Sequence, residues 1–459
     1  MSTLQEIKST RLEKIFSFFL SSFLFLLPWQ TVWILHEQFL NGSKWQYGTI
    51  GCYATEILLW GAIVSFIVWF IKVRNIFGSE KKEKFHSTKD RLFIFSILLF
   101  ITYSLLSTFW ATVPLIALGH SLFILEAFLL FIIILFGPIK WEPVVKWLVA
   151  GAVLQSVLGL WQFFTQSTVG FKWLGLVEHP VMEPGTSVLV GEEIGRVLRA
   201  YGGFSHPNVF GGYLVFSLVL TTLLLWVTKR RGLAVYIALG IQLVALFFTF
   251  SRSAWIDGLV WFVGILIYWF FYKNKSSINL KYIPRICLFV FCLGLMCSFF
   301  SWNLVANRFA HTSAHEIRST EERISGITES LQIWKSAPLL GVGSGNYTAA
   351  AYALNPQKEG YEYQPVHNLP LLILTELGII GIFLLGIVIT LWFFVLFSLP
   401  LVHKRDSLIF CALVAVVYST LSLFDHYLYS SYSGLIFGLG FLTLSFRFFT
   451  QVFPSLSSR

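Results

Sequence analysis

The chain has 459 residues, of which 56% are hydrophobic and only 12% charged, with a mean hydropathy of +0.73. Soluble domains carry about a quarter charged residues, so a water-soluble globular protein is excluded and an all-α polytopic membrane protein is expected. The net charge of +10 lies mostly in an asymmetry between loops and does not argue for a nucleic-acid partner.

Apolar stretches of about 20 residues, enough to cross a bilayer, recur along the whole chain. They predict about twelve transmembrane helices, centred near Phe25, Ile63, Ile101, Phe128, Leu154, Val219, Val244, Ile265, Cys292, Leu384, Val414 and Phe441. Helices are expected because backbone groups in lipid must be satisfied within each segment. The basic start "MSTLQEIKSTRLEK" runs into an apolar stretch with no A-x-A-like site, which reads as a retained first helix. With the N-terminus inside, the inside segments hold 23 of the 33 Lys and Arg and the outside segments 10, in keeping with the positive-inside rule. The whole chain, 1–459, reads as one membrane domain with no internal repeat. Cys52, Cys287, Cys292, Cys297 and Cys411 form no C-x-x-C pair and read as buried small hydrophobes.

Two long outside segments interrupt this pattern, 166–206 and 306–366. Both carry apolar and aromatic residues throughout, and loops of this length are commonly functional. In the second, Ile324, Ile327, Leu331 and Trp334 form one stripe of an amphipathic helix. Ser319 and Glu322 resemble a capping box at its start, and Pro338 marks its end. Such a helix either lies in the membrane interface or packs on the bundle. "GVGSGN" (341–346) follows a helix and has no closing lysine, so it reads as a flexible turn back to the bilayer rather than a phosphate loop.

Chemistry-bearing residues concentrate at the outer boundary. His367 opens the apolar run that starts near Asn368; it is either a hydrogen-bonded helix-start histidine or a general base. Arg252, in "FTFSRSAWIDG", occupies a tight outside turn, where it either snorkels to headgroups or binds an anion. Arg199, Arg308, Arg318 and Arg323 also lie outside, and guanidinium suits phosphate oxygens. No D-x-D-like pair appears in an outside loop, so neither a metal nor another cofactor is expected. Glu376 lies nine residues past His367, about 180° around a helix, and cannot orient it from the same face. Asp425, at the outer end of the eleventh helix, is placed either to orient His367 or to pair with an outside arginine.

Three blocks resemble the O-antigen ligase/polymerase superfamily of integral-membrane glycosyltransferases. They are "RAYGGFSHPNVFGGYL" (Arg199–Leu214), "SRSAW" (Ser251–Trp255), and the stretch from "ERISGITESLQIWKSAPLLGVGSGNY" (Glu322–Tyr347) to "PVHN". His367, Asn368, Gly378 and Gly381 match the ligase signature H-[NSQ]-x9-G-x-x-[GTY], and the resemblance covers about 120–438. It implies a GT-C-like fold and metal-independent transfer of a glycan from undecaprenyl pyrophosphate to an acceptor hydroxyl. The reaction would take place on the outer face of the cytoplasmic membrane. His367 would be the base. Arg252 and Arg323 would bind the pyrophosphate, and so would Arg199, a further family arginine. His206, Asn208, Asn368 and Asp425 are secondary candidates. A repeat-unit polymerase of the same superfamily is the alternative. A polysaccharide flippase fits less well, because transporters place their polar residues near mid-membrane.

Overall fold

Residues 11–77, 88–183, 185–191, 195–227, 233–273, 283–310, 314–398 and 404–449 are described by the computed structural model. In chain order the helices are α1 (Arg11–Leu26), α2 (Glu56–Phe77), α3 (Thr88–Leu106), α4 (Pro114–Phe136), α5 (Trp141–Thr165), α6 (Pro207–Val227), α7 (Leu233–Phe248) and α8 (Arg252–Tyr272). There follow α9 (Ile283–Phe300), α10 (Trp302–Ala310), α11 (Ala314–Ser336), α12 (Tyr347–Leu354), α13 (Leu369–Ser398), α14 (Lys404–Phe424), α15 (Tyr427–Ser430) and α16 (Tyr432–Arg447). Each of the twelve predicted centres falls inside one of these helices. Among the described residues eight helices are long and apolar enough to cross a membrane: α3, α4, α5, α6, α8, α9, α13 and α14. This is a multi-pass membrane protein, and eight of the twelve expected crossings meet that measure of length and composition among the described residues. Of the remaining four helices, α1, α7 and α16 are 16 residues each. The basic segments expected inside fall largely on 78–87, 228–232, 274–282 and 399–403, outside the described residues.

Helix α6 is the axis of the bundle. Nearly all of its apolar length is buried, and it packs against α5, α7, α8 and α16. Phe216 stacks on Phe441 of α16, ring centroids 4.1 Å apart. Around this axis α1 packs on α2 and α5, α4 on α3 and α16, and α3 on α13. Phe16, Leu20, Phe23 and Leu24 of α1 are buried, so the first helix is part of the core. At one end of the bundle the buried Arg447 guanidinium donates to the carbonyls of Ile134, Gly137 and Ile139. Ile134 O is one of the carbonyls that the last turn of α4 leaves without an intrahelical partner, and Gly137 and Ile139 follow the helix end.

The opposite end, where α4, α6, α8 and α13 begin, holds the irregular segments. The all-α expectation needs one amendment here. Three two-stranded antiparallel pieces form: β1 (Val32–His36) with β4 (Ile50–Tyr53), β2 (Phe39–Leu40) with β3 (Ser43–Lys44), and β5 (Val188–Gly191) with β6 (Gly195–Leu198). The amphipathic helix is present as α11, and it ends before Pro338 as expected. It starts at Ala314, however, so Ser319 and Glu322 lie inside it and not at its start. Its stripe of Ile324, Ile327 and Leu331 stays exposed, while Ser330 and Ile333 face the bundle. The cysteine expectation fails in part: only Cys297 is buried, and Cys52 and Cys292 are exposed.

"GVGSGN" is a turn, but a largely buried one whose N–H groups all find acceptors. Helix α13 breaks at Gly378 (φ 66°, ψ −170°), which frees backbone groups at membrane depth. Such breaks are tolerated where protein refills the hydrogen bonds. Val342 N–H donates to Thr375 O (3.1 Å) and Gly343 N–H to Glu376 O (2.9 Å). Ile379 N–H donates to Pro338 O (3.0 Å) and Ile380 N–H to Leu339 O (3.3 Å). Tyr103 Oη donates to Leu377 O (2.9 Å). A Cβ on Gly378 would sit 2.2 Å from Leu339 O, so both the positive φ and the contact require glycine.

Candidate active site

The first block is a turn held from beneath by α5. Gln155 Oε1 accepts Gly203 N–H (2.7 Å); Gln162 accepts Tyr201 N–H (3.1 Å) and donates to Gly202 O (2.9 Å). This fixes the entry to α6. His206 is its N-cap, accepting Phe210 N–H on its carbonyl (3.2 Å) and Asn208 N–H on Nδ1 (3.1 Å). Pro207 takes the first helical position, where its missing N–H costs nothing. Arg252 begins α8 after the tight turn 249–251, as predicted. That turn docks on the first block: Ala200 N–H donates to Phe248 O (2.9 Å), and Gly211 approaches Ser251 and Ala254 so closely that a Cβ would meet theirs at 3.2 and 2.9 Å.

A chain of hydrogen bonds leads from this turn to His367. Arg199, 4% exposed, donates to Thr249 O (2.6 Å), Ser187 Oγ (2.7 Å) and Asn208 Oδ1 (2.8 Å). Asn208 Nδ2 donates to Asp425 Oδ2 (3.2 Å). Asp425 Oδ1 lies 3.3 Å from His367 Nδ1 and accepts His426 N–H (2.9 Å). Arg199 and Asp425 together fix the amide orientation of Asn208, oxygen towards the cation and nitrogen towards the carboxylate. Burial alone would raise the Asp425 carboxyl. The hydrogen bond of His367, its charge when that ring is protonated, and the amide of His426 hold it well below the usual carboxylate range instead. An ionised Asp425 keeps the proton of His367 on Nδ1 and leaves Nε2 free to accept one.

His367, Asp425, His206, Asn208 and His426 all line one cavity of about 600 Å³ between the ends of α2, α4, α6 and α13. Burial holds His206 and His426 neutral: both imidazoles are pushed well down, with Arg199 adding to the effect on His206 and His367 to that on His426. The two carboxylates weighed from the sequence separate cleanly. Asp425 meets His367, whereas Glu376 lines the cavity but accepts the N–H groups of Gly345 and Tyr347 (3.2 Å).

The other candidates lie around this cavity and not in its wall. Asn368 caps α13 through Leu371 N–H (3.0 Å). Arg323 sits one turn before Gly326 on α11, and Gly326 lies against Val366, next to His367; a Cβ there would be 3.8 Å from Val366 Cγ2. Its Nε is buried with no hydrogen-bond partner among the described residues. His426 was not singled out in the sequence, although it follows Asp425 directly. Ligand atoms of His367, Asp425 and His426 lie within 4.8 Å of one another, close enough to share a cation. His367 Nδ1 faces Asp425 Oδ1 (3.3 Å) and His426 Nδ1 faces Ser430 Oγ (2.6 Å).

Residues 237–386 match the family described as O-Antigen ligase. That segment contains Arg252, Arg323, His367, Asn368 and Gly378; Arg199, His206, Asn208 and Asp425 fall outside it. A general O-oligosaccharyltransferase of Acinetobacter baylyi is 25% identical over 265 residues, covering 54% of this chain and 42% of that protein. The match thus spans less than half the length of that relative. Both similarities support placing the chain in the O-antigen ligase superfamily.

Proposed function

We propose, for a chain of the O-antigen ligase superfamily, that it moves a glycan from undecaprenyl pyrophosphate onto an acceptor hydroxyl at the outer face of the cytoplasmic membrane. The observation that carries this reading is the buried chain Arg199–Asn208–Asp425–His367 ending in the wall of a cavity. His367 Nε2 accepts the proton of the acceptor hydroxyl as its oxygen bonds to the anomeric carbon. The bond from that carbon to the phosphate oxygen breaks, and the undecaprenyl pyrophosphate leaves with the electron pair. A histidine so oriented supplies the 10²–10⁴-fold typical of general-base catalysis. Arg323, with an unpartnered buried Nε, and Arg252 at the start of α8 neutralise the leaving group. Arg199 orients Asn208, its guanidinium being engaged by protein acceptors. No step calls for a metal, and transfer should proceed in the presence of a chelator.

The test is an in vitro transfer assay with purified protein and lipid-linked donor. His367→Gln and His367→Ala should each lose about 10²–10⁴-fold in turnover while donor binding persists. Glutamine preserves hydrogen bonding but accepts no proton near neutral pH, so near-wild-type turnover in His367→Gln would refute the general-base role.

A further inference from the structure

The cavity extends from His367 towards α2 and α4, and this arm has its own chemistry. Glu126 on α4 is 5% exposed and lines the cavity. Its Oε1 accepts Trp60 Nε1–H (2.7 Å). Its Oε2 is buried with no hydrogen-bond partner among the described residues. An unsatisfied buried oxygen is costly, and an ionisable group within a membrane span is by default functional. Glu56 lies at the same end, its Oε1 accepting Tyr53 N–H (2.7 Å). Tyr53 stacks on Tyr432, centroids 4.5 Å apart and planes 12° apart.

The charge of the lining decides what fits there. Glu56, Glu126, Glu376 and Asp425 line the cavity, with no Lys or Arg among the described lining residues. With no cation in that wall nothing there would neutralise a pyrophosphate, and the three candidate arginines lie elsewhere. A wall of carboxylate acceptors and aromatic faces suits a ligand rich in hydrogen-bond donors with an apolar ring face. A sugar ring is such a ligand; a peptide, with a carbonyl for every N–H, is a poorer match. Displacement at an anomeric carbon also brings the nucleophile in opposite the leaving group, so acceptor and pyrophosphate must approach His367 from different sides.

We propose that this arm is the acceptor subsite: it takes a sugar whose hydroxyls bind Glu126 and whose ring lies along the Tyr53–Tyr432 wall, leaving another hydroxyl to reach His367. This rests on the transfer reading above for the role of His367, but binding in the arm can be measured without it. The decisive variant is Glu126→Gln, which keeps an oxygen for Trp60 and the side-chain volume while replacing the acceptor Oε2 by an NH2 group. In the transfer assay with a saccharide acceptor its acceptor KM should rise by roughly tenfold, as expected for one lost hydrogen bond. Turnover at saturating acceptor and donor affinity should stay near wild type, and thermal unfolding should be unchanged. Saturation-transfer NMR of the protein in nanodiscs, with a methyl hexoside and its 2-amino counterpart as probes and no donor present, should show binding to wild type that Glu126→Gln loses. An unchanged acceptor KM with unchanged glycoside binding would overturn the subsite while leaving transfer intact. Binding of neither glycoside, or binding of a serine peptide instead, would overturn the sugar assignment. Glutamate-dependent glycoside binding without any transfer would leave the subsite standing and refute the transferase reading.

Discussion

Replacing Asp425 by asparagine exchanges one carboxylate oxygen for an NH2 group at nearly constant volume. The three neighbours of this side chain all donate: His426 N–H at 2.9 Å, Asn208 Nδ2 at 3.2 Å and His367 Nδ1 at 3.3 Å. A carboxylate accepts from all three; an amide cannot. With its oxygen towards His426 and His367, its NH2 meets the NH2 of Asn208. Turning Asn208 to relieve this passes the mismatch to Arg199, which needs the Asn208 oxygen at 2.8 Å. With the amide reversed, its NH2 meets His426 N–H and draws the His367 proton to Nε2, the wrong tautomer for a base. In every arrangement one buried donor is left unsatisfied, at a cost of about 1–3 kcal/mol. Asp425→Asn should therefore lower stability by that amount and transfer by about 10²–10⁴-fold, read by thermal unfolding in detergent and by single-turnover transfer. Adding Asn208→Asp restores complementarity, since a carboxylate at 208 accepts from both Arg199 and the new amide. The double variant should recover stability but only part of the transfer, because the negative charge now sits one residue farther from His367. Wild-type stability and turnover in the single variant, or a double variant no more stable than the single, would refute the reasoning. The pH sign follows from the lowered carboxyl: its stabilisation is fully present above the unfolded value near 3.9 and is lost as pH falls through the lower folded value. Wild type and Asp425→Asn should then converge in stability only in strong acid.

Arg323→Ala and Arg252→Ala should each weaken donor binding by about 10–100-fold, from loss of a charge-assisted contact, with lysine rescuing poorly because it lacks the bidentate fork; unchanged donor affinity would remove that residue from the pyrophosphate site. Gly378→Ala places a Cβ against Leu339 O at a positive φ and should cost at least about 1–3 kcal/mol, seen as a lower unfolding temperature; an unchanged one would deny the fitted turn. In a background lacking Cys52 and Cys292, a cysteine at Gln357 should react with an impermeant reagent on intact cells, and one at Lys140 should be protected. A cysteine at the fully buried Ser344 should resist from either side; labelling at 140 but not 357 would invert the topology.

What the sequence disclosed divides by how local the signal is. His367 at a helix start, Pro207 opening α6 and the tight turn before Arg252 are set by neighbouring residues, and all were legible. Asp425 was legible only as one of two alternatives, because 58 residues separate it from His367. Arg199 shows its limit most plainly. Its charge is visible in the chain, but the three protein acceptors that engage its guanidinium come from residues 187, 208 and 249. The pattern Ser319–Glu322 misled for the converse reason, since a capping box has the same spacing as an ordinary helical turn.

The ligase signature gains a physical meaning from this geometry. Nine residues separate Asn368 from Gly378, ten steps or about 15 Å of helix at 1.5 Å per residue. That length sets the depth of the break below His367. The break in turn accepts the 341–345 turn through Thr375 O and Glu376 O, while the Glu376 carboxylate takes the N–H groups of Gly345 and Tyr347. Tyr347 then reaches back to Gly326 O (3.3 Å) and Glu329 (3.2 Å) on α11, one turn from Arg323. The spacing between the histidine and the glycine thus fixes the height of the proposed base relative to the helix carrying a proposed pyrophosphate ligand. A signature written on a single helix is in this way a constraint between two chemical groups from different segments.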